Sequence, residues 1–157
     1  MEQQKASEDA LMTRIGQAVM LLHGGDREEA RNRFGVIWSE IGERGDALHR
    51  CTLAHYMADT QDDPGDELAW DLRALAAAES LRAEGTGEEG EPAPSVRAFY
   101  PSLHVSLAAD YLKLRRPGAA RIHLDRARGV LDTLGDDGYG RGVRSAFQRL
   151  ERALGPE

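Results

Sequence analysis

Cysteine is nearly absent from this chain. Cys51 is the only one in 157 residues, so no disulfide can form within the chain, and a reducing cytoplasm is the expected setting. Nowhere do eighteen apolar residues run together, which excludes a transmembrane helix and a membrane partner. The opening Met1-Glu2-Gln3-Gln4-Lys5 lacks the charged-then-apolar layout of a secretory signal. Aromatics make up only 6%, and runs of Val, Ile, Thr and Tyr that would favour strands are missing. An all-β fold is therefore excluded. What remains is 41% hydrophobic and 30% charged, the composition of a globular protein of one domain spanning 1–157.

Charge is uneven along the chain. Residues 1–94 hold nine Lys/Arg against twenty Asp/Glu, whereas residues 95–157 hold eleven against seven. The overall charge of −7 argues against direct nucleic-acid binding, which draws most of its affinity from counterions released by basic side chains.

The apolar spacing is helical almost throughout. Leu11, Ile15, Ala18 and Leu22 share one face, and Gly24-Gly25 ends that helix. Asp26 and Glu29 form a capping-box-like start to a second helix carrying Ala30, Phe34, Ile37 and Ile41, stopped by Gly45. Asp46 caps a third, with Leu53, Ala54 and Met57 buried. Asp63-Pro64 starts a fourth, whose buried stripe is read as Leu68, Leu72 and Leu75. Residues 84–95 contain no large apolar side chain and are expected to form a mobile acidic loop. A fifth helix follows, with Pro101 in its first turn and Leu103, Leu107, Tyr111 and Leu114 as its stripe. Pro117 opens a sixth, bearing Ala120, Leu124, Ala127, Leu131 and Leu134. After a glycine-rich turn over 135–142, a seventh carries Val143, Phe147, Leu150 and Leu154. The fold class is all-α.

Two stretches repeat. Gly24-Gly-Asp-Arg-Glu-Glu-Ala30, with Ala18 before it and Phe34 and Ile37 after it, parallels Leu114-Arg-Arg-Pro-Gly-Ala-Ala120, with Ala108 before it and Leu124 and Ala127 after it. The small residue of the first helix and the alanine opening the second are twelve apart in both. Close approach of two antiparallel helices demands such small residues. Residues 25–30 and the Leu107-Ala108…Tyr111…Ala120 pattern resemble the tetratricopeptide repeat (TPR), a helix–turn–helix unit of 34 residues. Leu53-Ala54, Met57 and Ala69 form a looser middle copy. The resemblance implies a TPR-like α-solenoid of about three stacked antiparallel hairpins closed by a C-terminal capping helix. Arg141, Arg144, Arg149, Glu151 and Arg152 would supply the polar outer face of that cap.

Signs of catalysis are weak. Cys51 and His55 have a ligand-like spacing but lack a third and fourth partner, so no metal is expected. Residues 135–142 lack the strand and the Gly-Lys-Ser/Thr ending of a phosphate loop. Ser102 and His104 have no nucleophile elbow around them. Trp38 and Trp70 are read as packing against neighbouring hairpins. No enzyme and no cofactor are expected.

The resemblance implies a protein- or peptide-binding adaptor whose first helices line a concave groove. Residues one position off the packing stripe would face it. These are Met12, Val19 and His23, then Cys51, His55 and Asp59, then Val105, Leu112 and Lys113. Two alternatives are a small-molecule or peptide-signal sensor acting through a partner protein, and a structural homo-oligomer such as a homo-dimer. The dimer would join the acidic N-terminal part of one copy to the basic C-terminal part of another.

Overall fold

The computed structural model describes residues 2–42, 45–84 and 94–156, with side chains described over 10–42, 45–81 and 100–156. Seven α-helices account for most of these residues: α1 (Glu2–His23), α2 (Arg27–Ile41), α3 (Ala47–Asp59), α4 (Pro64–Glu84), α5 (Pro94–Lys113), α6 (Pro117–Val130) and α7 (Gly138–Leu154). No strand occurs among the described residues. Each helix packs against the next one in the chain, and α5 also touches α7. The α1–α2 and α5–α6 connections are only a few residues long, which forces these packed neighbours to run antiparallel.

Local chemistry explains most boundaries. Asp26 caps α2 by accepting from the Glu29 N–H, and Asp46 caps α3 by accepting from that of Leu48. Asp137 caps α7 through the Gly140 N–H at 2.7 Å. Four boundaries differ from the sequence expectation. The sixth helix ends at Val130, which leaves Leu131 in a short 3₁₀ turn over Leu131–Thr133 and Leu134 beyond it. The second helix stops at Gly42, which adopts φ +54, rather than at Gly45. The fifth begins at Pro94, so Pro101 lies buried inside the helix instead of in its first turn. The seventh starts at Gly138, within the expected turn. Of the expected acidic loop, Glu84 closes α4 and Pro94 and Ser95 open α5, while 85–93 lie outside the described residues.

The sequence repeat has a structural counterpart at an offset of ninety residues. In the first turn Gly25 has φ +95 and the Asp26 N–H reaches the Leu21 carbonyl at 2.9 Å. In the later turn Arg115 has φ +60 and the Arg116 N–H reaches the Tyr111 carbonyl at 2.8 Å. Both are the closing bond of a left-handed helix terminus. The flanking burial also matches: Ala18, Ala30, Phe34 and Ile37 are buried, as are Ala108, Ala120, Leu124 and Ala127. The same small-to-small crossing is therefore built twice.

Three apolar clusters follow one another along the chain. The first joins Ile15 and Ala18 to Phe34, Ile37, Leu53 and Met57. The second joins Cys51 and Ala54 to Ala74, Ala77, Ala78 and Leu103. The last joins Val105 and Ala108 to Leu124, Ala127, Val143 and Phe147. Trp38 and Trp70 meet edge-on at 5.1 Å between centroids, bridging the first two clusters.

Helix α4 corrects the sequence reading. Its buried face is Asp71, Ala74, Ala77 and Ala78, while Leu72 is 40% exposed and Leu68 and Leu75 are only half-buried. The face is turned by one residue, about 100°. Ala69, read as the middle repeat's crossing alanine, is exposed. Four-carbon side chains at the crossing would hold α4 away from α3 and α5, whereas alanines allow close approach. The consequence reaches beyond packing, because the turn carries an aspartate into the interior.

Candidate functional site

Asp71 is 2% exposed and faces Asp110, 1% exposed, on α5. The two carboxyls are close enough to share a proton. Burial is the largest influence on both and raises both pKa values, Asp71 to about 7 and Asp110 higher still. Apart from each other, Asp71 and Asp110 have no hydrogen-bond partner for Asp71 Oδ1 or for either Asp110 oxygen among the described residues. His55 Nδ1 is also unpartnered, 3.7 Å from Asp71 Oδ1. Its burial lowers its pKa, while the nearby Asp59 and Asp110 act against that shift.

Around this buried pair stands a second ring of charges. Lys113 Nζ donates to Glu67 Oε1 at 2.8 Å, tying α5 to the first turn of α4. Asp59, at the C-terminal end of α3, is exposed, yet surrounding protein raises its pKa through desolvation. His55, Lys113 and His23 pull the other way by favouring its charged form. Four acids thus converge from α3, α4 and α5 with one lysine among them.

A cavity of about 420 Å³ opens beside these groups. Asp59, Glu67 and Asp110 form its acidic part, and Ser106 adds a hydroxyl. Val105 and Ala109 on α5, with Ala146, Leu150 and Ala153 on α7, give the rest an apolar surface. Arg149 stands on the α7 side. An anion would meet the carboxylates and a purely apolar ligand would leave them unsatisfied. Among the described residues no group of three or more His, Cys, Asp or Glu is arranged to hold a metal ion.

Five of the nine sequence-derived groove residues lie at this site. Asp59 and Val105 line the cavity. His55 adjoins Asp71, Lys113 bonds Glu67, and His23 acts electrostatically on Asp59. The other four do not join them. Met12 is exposed on α1, Val19 packs on the first cluster and Leu112 on the last. Cys51 is fully buried among alanines of α4 and Leu103 of α5, and burial pushes its thiol up to about 12. An open groove cannot use it.

Sequence reasoning missed Glu67, Asp71, Asp110 and Arg149. Arg149 had been expected on the outer face of the capping helix, but α7 turns it toward the cavity. One signal was available: Asp71 and Asp110 occupy positions on helices where an apolar neighbour would continue the buried stripe. In a chain with twenty-seven acids that signal is easily lost.

A second polar cluster holds α5 to α6. His104 and His123 bring their Nδ1 atoms to 3.1 Å, and Tyr100 and Tyr111 stack on the two rings. Comparison with family models, with curated proteins and with solved structures finds no match to this chain.

Proposed function

We propose that the chain is a non-enzymatic binding module, a TPR-like stack of helical hairpins that holds an extended protein segment or peptide in the groove between α3, α5 and α7. The observation that carries this reading is the cavity itself. It is lined mainly by odd-numbered helices, and it joins an apolar surface to a small set of convergent polar groups. The repeated turn geometry at Gly25 and Arg115 supports the hairpin-stack part of the reading. No described helix is long and apolar enough to cross a membrane, and a cytoplasmic site of action belongs to the proposal.

Panning a display library of random heptapeptides on the full chain tests this reading. Ala109→Trp, which fills the cavity, serves as the counter-selection. Enriched peptides should lose binding to the filled variant. Peptides that bind both proteins equally would place recognition elsewhere and overturn the groove assignment. A second reading, a small-molecule sensor acting through a partner, draws support from the cavity volume, which falls within the usual range for small-ligand sites.

A further inference from the structure

The contact between α4 and α5 is closed by a proton. Asp71 and Asp110, 2% and 1% exposed, meet across it with only each other as partners among the described residues. Two carboxyls attract each other only while at least one holds a hydrogen, and two adjacent carboxylates repel. Among the described residues no cation contacts the pair to replace that proton. On α3, His55 Nδ1 stands 3.7 Å from Asp71 Oδ1, and burial disfavours its charged form. On α5, Lys113 is committed to Glu67 at 2.8 Å. Arg149 of α7 shares the cavity lining with Asp110 but forms no ion pair with it. Asp59 of α3 and Glu67 of α4 add negative charge that disfavours ionisation of Asp71, and His23 of α1 acts on Asp59.

We propose that the Asp71–Asp110 contact is a pH-operated latch, which docks α4 on α5 while it holds a proton and releases the middle of α4 when that proton passes to solvent. The direction follows from the burial. Both carboxyls ionise less readily than free ones, Asp71 near pH 7 and Asp110 higher. The closed chain therefore holds protons that an open one gives up, so closure is favoured in acid and lost as pH rises from about 7. The Glu67–Lys113 ion pair, one helical turn nearer the start of α4, tethers the two helices and limits the opening. Glu67 and Asp110 lie on opposite sides of this seam and both line the cavity. Release of the latch thus alters the cavity, with or without a ligand in it.

Cys51 supplies the reporter. It is the chain's only thiol, and it is buried on α3 against Ala74, Ala77 and Ala78 of α4 and Leu103 of α5. Burial keeps it protonated, so a thiol reagent reaches it only through an opening of this seam. The test measures labelling of the full chain by 5,5′-dithiobis(2-nitrobenzoate) from pH 7 to pH 9. Each rate is divided by that of the urea-unfolded chain at the same pH, which removes the ordinary titration of the thiol. This window lies above the range in which His104 and His123 titrate. The ratio should rise by roughly tenfold or more in the natural chain, because local opening sets the labelling rate. In Asp110→Asn and Asp71→Asn an amide donor stays in the contact at every pH, and the rise should be below about threefold. Amide exchange should show the loss of protection confined to α4 and α5, with α6 and α7 still protected. A flat ratio in the natural chain would overturn the latch, as would an equal rise in both variants. Loss of protection in all helices together would also overturn it, since the whole chain would then be unfolding.

Discussion

Nδ1 of His104 lies 3.1 Å from Nδ1 of His123, so only one of the two atoms can carry a hydrogen while the other accepts it. Both rings are buried, and burial is the main reason that both pKa values are lowered, that of His104 to about 4. The repulsion of each imidazolium by Arg126 adds to the effect. The pair is thus stable as two neutral rings between Tyr100 and Tyr111.

A stability consequence follows for acid. A histidine whose folded-state pKa is depressed stabilises the fold above its unfolded value near 6.5, and loses that contribution as pH falls toward the folded value. Between pH 6.5 and about 4 the unfolded chain takes up protons that the folded chain refuses. Urea denaturation across this window should give stability that falls with acid. His104→Phe should make this limb shallower. An unchanged limb would show that the pair does not titrate in unfolding.

Asp110 acts with the opposite sign. Its folded-state pKa is raised by burial and by Asp71, so the folded chain binds more protons than the unfolded chain above pH 4. That contribution is present in acid and is lost as pH rises. Asp110→Asn keeps the shape, donates to Asp71 and removes the titration. It should raise stability at pH 8 by about 1–3 kcal/mol, the scale of an unsatisfied buried polar group. A loss of stability at pH 8 would mean that the carboxyl has a partner the amide cannot replace.

Among the described glycines, Gly140 occupies the tightest backbone approach. A Cβ placed there would lie 2.1 Å from the carbonyl oxygen of Gly135, a backbone atom that cannot swing aside. Gly140→Ala should therefore cost about 1–3 kcal/mol through displacement of the 135–138 turn. Gly142, two residues further along α7, has nothing within 4 Å of the same added atom. Gly142→Ala should be neutral or stabilise by up to about 1 kcal/mol from helix propensity. Thermal melts of the two variants should separate clearly, and equal values would contradict the turn geometry.

The helix crossings give a third contrast. Ala30 and Ala120 are fully buried at equivalent points of the two repeats, whereas Ala69 is exposed. Ala30→Leu and Ala120→Leu should each destabilise by about 1–3 kcal/mol, because added methylenes push packed helices apart. Ala69→Leu should change stability by less than about 0.5 kcal/mol. Chemical denaturation of the three variants checks the pattern, and a large loss at Ala69 would restore it as the middle crossing.

Helix existence and type were legible in the sequence because they depend on local signals. Asp26 and Asp46 announce helix starts through their own side-chain acceptors, and Gly25 marks a left-handed terminus. The repeated alanines at 30 and 120 were legible for the same reason, since their spacing lies within one hairpin. Three sequence-derived site residues from α3 and α5, His55, Asp59 and Lys113, also found their cluster.

Helix phase was decided elsewhere. On α4 the leucines at 68, 72 and 75 and the set Asp71, Ala74 and Ala78 are both helical stripes, one residue apart. Hydrophobicity alone selects the leucines. The tertiary structure selects the alanines, which let α4 approach α3 and α5 closely. That choice brings Asp71 against Asp110, residues 39 positions apart, and α7 then brings Arg149 to the same cavity. The chain alone determined which segments are helices and where the two matching hairpins turn. Only their packing determined which acids are buried together, since that depends on the relative rotation of helices that no local signal records.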